Sequence, residues 1–289
     1  MTPPPRLLPA LVTPFDRSGG IDLLAHRHNL GFLWDRDIRG FLLAGSTGEG
    51  PYLEPGERTA VVGEARRTLG QKAVLVCGVA AETLRGATAM VNEAVEADAD
   101  AVLVITPTTL ARNRIPYIET FYTDIADTSP LPVYLYSVPA VTAFELPDPS
   151  IARLSEHPNI AGIKDSGGDP IRMQRLANMV EDDFQLFTGS SQAITLCLTA
   201  GAYGAITAST NYAPDLVMRT VVTARRSAVQ ARVHQTRLST MARLIEAHGV
   251  PGVKVAARAA GLEPGLPRRP LRPLPKAQES RLLALLDSG

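Results

Sequence analysis

Short apolar runs recur along the chain, and each is followed by a segment with helical periodicity. Continuous apolarity over a few residues is typical of strands that are buried on both faces of a parallel sheet. We predict eight such strands, at residues 6–13, 40–45, 73–78, 101–106, 133–137, 160–164, 184–188 and 204–207. Eight strand–helix units over this length predict an α/β fold of the closed (β/α)8 TIM-barrel type. A doubly wound open sheet is the alternative, but the first strand–helix junction lacks the GxGxxG of its dinucleotide-binding version.

The pattern changes after the eighth predicted strand. Residues 214–248 are helical in character and contain no strand, and residues 248–262 predict a turn and another helix. The proline-rich residues 264–275 predict an extended connector, with an SH3-type ligand as the alternative, before a last helix over 276–287. We therefore divide the chain into a barrel, residues 1–215, and an eighth barrel helix with a small C-terminal helical extension, residues 216–289.

Composition and charge narrow the classes of function. The 29 basic and 29 acidic residues balance, so nothing indicates a nucleic-acid or anionic membrane partner. No apolar run has the length of a spanning helix, and no signal-peptide pattern is present, so we predict a cytoplasmic protein. The five histidines are scattered, and Cys77 and Cys197 lie in apolar runs. These features predict buried cysteines and no metal site.

Lysine is scarce in this chain. Only four of the 29 basic residues are lysines: Lys72, Lys164, Lys254 and Lys276. Unlike arginine, a lysine side chain can lose its proton and attack a carbonyl carbon. Lys164 ends the sixth predicted strand, where a barrel places its active site, and burial there disfavours the ammonium form. The alternative is a structural lysine that pairs with Asp165.

Two further segments carry candidate chemistry at the same end of the barrel. Tyr136 ends the fifth predicted strand, next to Lys164, and its phenol could transfer protons there; a packed aromatic at the rim is the alternative. The loop GSTGEG at 45–50 combines glycines with two hydroxyls. Its backbone amides could hold a carboxylate, although a plain strand-to-helix turn explains the glycines equally well.

Five motifs follow one another in a recognisable order. They are ALVTPF at 10–15, GSTGE at 45–49, YSVPAVT at 136–142, GIKDSGGD at 162–169 and TGS at 188–190. In this set the chain resembles the dihydrodipicolinate synthase / N-acetylneuraminate lyase family over nearly its whole length. The resemblance implies a TIM barrel that works without metal or organic cofactor as a homotetramer or homodimer. It also implies a class I aldolase, a lyase whose partners are a small-molecule 2-oxo acid and an aldehyde.

The resemblance also implies roles for individual residues. Lys164 of GIKD matches the family lysine that forms a Schiff base with pyruvate or a close 2-oxo acid, and Tyr136 matches the tyrosine that relays protons. Thr47 matches a relay hydroxyl. Residues expected to contact the substrate are Ser46, Thr47, Gly48, Val141, Gly189 and Ile206.

The chain departs from dihydrodipicolinate synthases at two places. Val141 stands where they carry an arginine that holds the aldehyde's carboxylate, and Thr108 and Thr109 stand where they carry two tyrosines. The segments YSVPAVTAFELP and HPNIAGIKDSGGD look more like the 4-hydroxy-2-oxoglutarate aldolase branch. We therefore expect C–C cleavage or formation with bound pyruvate. Dehydration of a 2-oxo-3-deoxy sugar acid, dihydrodipicolinate synthesis and weak 2-oxo acid binding remain alternatives.

Overall fold

Eight parallel strands succeed one another around a barrel in the computed structural model, which describes residues 4–287. The strands are β1 (Leu7–Pro9), β2 (Gly40–Leu43), β3 (Val74–Val79), β4 (Ala101–Ile105), β5 (Val133–Ser137), β6 (Ile160–Asp165), β7 (Gln185–Thr188) and β8 (Gly204–Thr207). Strands β2 to β8 pair in chain order and β1 pairs with β8. A bridge between Ala10 and Leu42 brings β1 against β2. The predicted TIM barrel is confirmed.

Strand β1 is shorter than the predicted 6–13. Beyond Pro9 the chain no longer follows one neighbouring strand. The amide of Leu11 donates to the carbonyl of Leu42 at 2.9 Å, whereas the amide of Val12 donates to the side chain of Asn211 at 3.0 Å. These residues close the barrel by bonding alternately to two partners. A prediction based on apolarity alone therefore made the strand too long.

Helices surround the strands. They are α1 (Leu23–Trp34), α2 (Glu57–Leu69), α3 (Leu84–Glu96), α4 (Ile115–Thr128), α5 (Pro139–Thr142), α6 (Asp148–Ser155), α7 (Pro170–Ala177), α8 (Ile194–Thr199), α9 (Pro214–Ala224), α10 (Ala228–Glu246), α11 (Gly249–Ala259) and α12 (Lys276–Asp287). Short 3-10 helices cover Gly50–Tyr52, Gly70–Lys72 and Ala208–Asn211. The helical run predicted over 214–248 is divided in two, because Ser227 caps a new helix by accepting from the amide of Gln230.

The apolar core forms two layers, as alternating strand side chains require. Inward-facing residues fill the barrel; they include Leu8, Leu42, Leu103, Phe187 and Ile206. The outward-facing residues pack with the helices in a larger cluster. The barrel interior is therefore a packed core, and chemistry is confined to the rim where the strands end.

The C-terminal helices form a third cluster that packs on one end of the barrel. Apolar residues of α10, α11 and α12 gather around Val12 and Tyr212. The proline-rich segment before α12 is an ordered connector, since Leu266 bridges to Phe15 through an amide that donates to its carbonyl at 2.8 Å. Within residues 4–287, no helix is both long and apolar enough to cross a membrane.

Candidate active site

Neighbouring strands place Tyr136 and Lys164 side by side at the C-terminal rim. The two residues are register partners across β5 and β6. The Nζ atom of Lys164 lies 4.3 Å from the centre of the Tyr136 ring, and only 4% of Lys164 is exposed. A buried amine is therefore held against a phenol at the end of the barrel where active sites form.

The carboxylate of Asp165 pairs with Arg172 and not with Lys164. Its Oδ2 atom accepts from Nε of Arg172 at 3.0 Å, and its Oδ1 atom accepts from the amide of Gly167. Among the residues described, no carboxylate oxygen lies within 4.0 Å of the Lys164 amine. The structural alternative for Lys164, an ion pair with Asp165, is therefore not present.

Replacing Arg172 with methionine is expected to destabilise the fold by about 3–5 kcal/mol, because the buried Asp165 would lose the guanidinium that pairs with it. Arg172 is buried and also binds Asp148 and the carbonyl of Leu146. Arg175→Met is the matched control: Arg175 pairs with the same Asp148 at 2.9 Å but is 53% exposed, so its loss should cost at most about 1 kcal/mol. Urea denaturation measures both changes, and equal losses would contradict this account.

The phenol of Tyr136 is surrounded by hydrogen-bonding groups. Burial by itself would raise its pKa, but the nearby Lys164 and hydrogen bonds with Ser46, Ser166 and Lys164 outweigh burial and lower the pKa. Tyr134, two residues earlier on the same strand, shows the contrast, because burial raises its pKa. Tyr136 is thus the tyrosine whose surroundings favour proton transfer.

Ser166 was missed in the sequence analysis. It lies two residues after Lys164, and period-two alternation places both side chains on the same face of an extended chain. That spacing within GIKDSGG was the available signal. The structure brings the Ser166 hydroxyl to both Tyr136 and the backbone at Gly189.

Gly189, directly after β7, lies against the lysine. A Cβ atom built on Gly189 would overlap the Ser166 hydroxyl and approach Cε of Lys164 to 3.0 Å. The absence of a side chain at Gly189 therefore leaves the space that the amine and the hydroxyl occupy.

Gly189→Ala is expected to lower kcat/KM by roughly 10²-fold, because the added methyl group would displace the Lys164 side chain and small misplacements of reacting groups cost that much. Gly31→Ala is the matched control, since a Cβ at Gly31 in α1 meets nothing within 4 Å. Steady-state kinetics on the two folded variants test the prediction. Equal activity of the two variants would show that Gly189 does not limit the site.

The loop after β2 is folded tightly at the same rim. The amide of Glu49 donates to the carbonyl of Ser46 at 3.1 Å, and the amide of Gly50 donates to Gly45 at 2.9 Å. Ala44 and Glu49, at the two ends of the loop, have positive φ angles of 53° and 57°. Left-handed conformations of such residues cost about 1–3 kcal/mol each and persist only where surrounding contacts impose them.

The predicted loop residues differ in exposure. Ser46 and Thr47 are half-buried, and Gly48 is buried. A Cβ at Gly48 would lie 2.7 Å from the carbonyl oxygen of Leu11, so only glycine fits between the loop and the end of β1. The loop thus presents two hydroxyls and a compact backbone turn, and Ser46 is one of the groups that lower the pKa of Tyr136.

Ile206 and Val141 lie in different surroundings. Ile206 is buried in the inner layer near the end of β8. Val141 belongs to the short helix α5 and is 65% exposed. At Val141, the position expected to contact the far end of a substrate is therefore apolar and open to solvent.

The threonines that follow β4 are held by a carboxylate. Glu82 accepts from the amides of Thr108 and Thr109 at 3.0 and 2.8 Å, and from the Thr108 hydroxyl at 3.1 Å. Hydrogen bonds from both residues lower the pKa of Glu82 against the effect of its burial. Glu82 thus holds both residues of the loop at which the resemblance places two tyrosines.

No metal centre accompanies this arrangement in the part of the chain that the structure describes. No three histidine, cysteine, aspartate or glutamate side chains there are grouped so that they could hold a metal ion. The groups at the rim are an amine, a phenol, three hydroxyls and a backbone turn. Together they suit amine attack on a carbonyl with local proton transfer.

Known proteins are similar to this chain in sequence and in fold. Residues 3–288 match the model of the dihydrodipicolinate synthetase family. The 4-hydroxy-tetrahydrodipicolinate synthase 1 of Streptomyces coelicolor is 31% identical over 96% of this chain and 92% of its own. Dihydrodipicolinate synthase DapA-2 of Bacillus anthracis superposes with a TM-score of 0.95 at 25% identity, covering 100% of this chain and 99% of its own.

A second solved structure has a bound ligand. The dihydrodipicolinate synthase of Acinetobacter baumannii, crystallised with pyruvate, superposes with a TM-score of 0.92 at 27% identity over 97% of both chains. The family resemblance seen in the sequence is thus confirmed, while the branch within the family is not resolved by these matches. The chain belongs to the dihydrodipicolinate synthetase family and is an enzyme of the class I aldolase type.

Proposed function

We propose that Lys164 forms a Schiff base with pyruvate or a close 2-oxo acid, and that the enzyme makes or breaks a C–C bond next to the bound ketone. The observation that carries the proposal is the Lys164 amine, which is buried at the rim, is 4.3 Å from the centre of the Tyr136 ring, and has no carboxylate partner in the described chain. The pyruvate bound by the Acinetobacter relative supports the choice of 2-oxo acid.

In the proposed reaction the substrate carboxylate binds to the loop formed by Ser46, Thr47 and Gly48. The amine of Lys164 adds to the ketone carbon and gives a carbinolamine. Tyr136 delivers a proton to the departing hydroxyl, and water leaves as the iminium forms. The positive nitrogen then accepts the electron pair of the C3–C4 bond as that bond breaks.

As the bond breaks, the C4 hydroxyl gives its proton to the Tyr136 phenolate, so cleavage releases an aldehyde and leaves an enamine on Lys164. Protonation at C3 restores the iminium, and water hydrolyses it to free pyruvate and the lysine amine. In the synthetic direction the same steps run in reverse. Ser46 and Ser166 both contact Tyr136, so either hydroxyl can return its proton. We propose that Ser166 takes part in this relay, while Glu82 holds Thr108 and Thr109 in the loop after β4.

For the aldehyde partner, we propose specificity nearer the 4-hydroxy-2-oxoglutarate aldolase branch. The exposed Val141 provides no charge for an aldehyde's carboxylate, and Thr108 and Thr109 bind Glu82. The second candidate is 4-hydroxy-tetrahydrodipicolinate synthesis, which is favoured by the name of the Streptomyces relative. The homotetramer or homodimer expected from the resemblance stays a prediction.

Product analysis distinguishes these reactions. The enzyme is incubated separately with 4-hydroxy-2-oxoglutarate, with a 2-oxo-3-deoxy sugar acid, and with pyruvate plus aspartate semialdehyde, and products are identified by mass spectrometry. Pyruvate release from the first substrate, absent in Lys164→Met, is the expected result. Water loss from the sugar acid, or a condensation product from the third mixture, would replace the proposed specificity with dehydration or synthesis. Imine formation without turnover would indicate a 2-oxo acid binding protein.

A further inference from the structure

The loop that would hold the substrate carboxylate needs support from outside itself. Ala44 and Glu49 at its two ends are both left-handed, a conformation that non-glycine residues keep only under constraint. A Cβ at Gly50 would overlap the carbonyl of Ala44, so the loop is folded back closely on the end of β2. Its shape depends on whatever fixes Glu49.

Two groups from the C-terminal extension fix Glu49. The Nζ atom of Lys254, in α11, lies 2.6 Å from Oε1 of Glu49, and both side chains are at most 2% exposed. The backbone amide of Arg268, in the proline-rich connector, donates to Oε2 at 2.7 Å. Both oxygens of this buried carboxylate are therefore bound by residues far along the chain.

The Lys254 ammonium joins three segments. Besides its ion pair with Glu49, it donates to the carbonyls of Thr13 at 2.8 Å and Leu266 at 2.7 Å. The Thr13 hydroxyl donates in turn to the carbonyl of Gly48 at 2.6 Å. The segment that follows β1, the carboxylate loop and the extension thus meet at one cation.

We propose that Glu49 and Lys254 are positioning residues: they hold the Ser46–Gly48 loop in the shape that binds a 2-oxo acid carboxylate. The C-terminal extension is then part of the substrate-binding apparatus and not only a support for the barrel. Neither residue contacts the substrate, so both act through the loop. This inference rests on the proposed Schiff-base function.

The charge state of the pair makes the proposal testable by pH. Burial lowers the pKa of Lys254 to about 8, although Glu49 opposes the shift, and Arg268 adds to the lowering. The charged groups that face Lys254 are Glu49 on the loop and Arg268 on the connector. As the pH passes this pKa, Glu49 loses its ammonium partner, so carboxylate binding should weaken.

The experiment compares two trapping ligands. Borohydride trapping is measured over a range of pyruvate concentrations, and again with pyruvamide, which has the ketone but no carboxylate. For Glu49→Gln and Lys254→Met, we expect the half-saturating pyruvate concentration to rise about tenfold, the effect of displaced donors. The maximum trapping rate and the half-saturating pyruvamide concentration should stay close to those of the parent enzyme.

Matched variants keep the test decisive. Arg258→Met alters an exposed ion pair between α11 and α12. It should leave the half-saturating concentrations of pyruvate and pyruvamide unchanged. If either single variant fails to fold, the double variant Glu49→Gln/Lys254→Met removes both charges together, which buried pairs tolerate better than the loss of one partner. In the parent enzyme, the half-saturating pyruvate concentration should rise when the pH exceeds the pKa of Lys254. This pH dependence should be absent from the double variant.

The outcomes separate the two proposals. If the parent enzyme gives no adduct with pyruvate, the Schiff-base function fails. If the parent enzyme is trapped, the half-saturating concentrations of the two ligands are compared in the folded variants. If their ratio is the same as in the parent enzyme, or if trapping of both ligands weakens equally, Glu49 and Lys254 have only a structural role and the inference is overturned.

Discussion

Lys164→Met is expected to lower kcat/KM by at least about 10⁴-fold, within the range found when a covalent nucleophile is removed. The amine supplies the bond to the substrate, and the other three lysines are placed differently: Lys72 and Lys276 are exposed, and Lys254 is held by three oxygens. The variant should fold normally, because methionine replaces the buried methylene chain. Coupled measurement of pyruvate release gives the rate.

Lys72→Met is the matched control for this substitution. It removes the same charge from an exposed site and should leave the kinetics unchanged. If Lys164→Met and Lys72→Met turned over substrate at similar rates, the covalent mechanism would be wrong, whatever the family resemblance implies.

Tyr136→Phe is expected to lower kcat by about 10²- to 10⁴-fold, the usual contribution of a positioned acid–base group. The ring contact with Lys164 remains in the variant, whereas the phenol that exchanges protons with the carbinolamine is lost. Imine formation should be slowed but not abolished. Single-turnover measurement of borohydride trapping therefore distinguishes this variant from Lys164→Met, which should form no adduct.

Tyr134→Phe removes a phenol from the same face of β5. The Tyr134 hydroxyl contacts Gln185 inside the barrel, and burial raises its pKa. Its loss should affect stability more than turnover. An equal fall in kcat for the two variants would mean that the strand's packing, and not the Tyr136 proton, limits the reaction.

The helices and strands were predictable where the residue pattern of the segment itself determines the structure. Strands β5 and β8 match the predicted runs at 133–137 and 204–207, because parallel strands covered on both faces are apolar throughout. The last helix also matches its prediction, 276–287. Strand β1 did not match, since its last residues bond to separate partners, a tertiary feature that apolarity does not encode.

The site was predictable where it is formed by consecutive strands, because these are neighbours in a barrel. Adjacent strands made Tyr136 and Lys164 neighbours, and the glycines marked the tight loop. The link between Glu49 and Lys254 could not be predicted, because it joins the second strand's loop to a helix near the end of the chain. The capture of Thr108 and Thr109 by Glu82 likewise joins two loops that no sequence pattern relates.

Borohydride trapping with pyruvate, followed by intact mass and peptide mapping, tests directly whether Lys164 forms the Schiff base. With this mechanism we expect one reduced pyruvate per chain, located on the peptide that contains Lys164 and absent from Lys164→Met. No adduct with pyruvate or with longer 2-oxo acids, or an adduct that maps to another lysine, would contradict it.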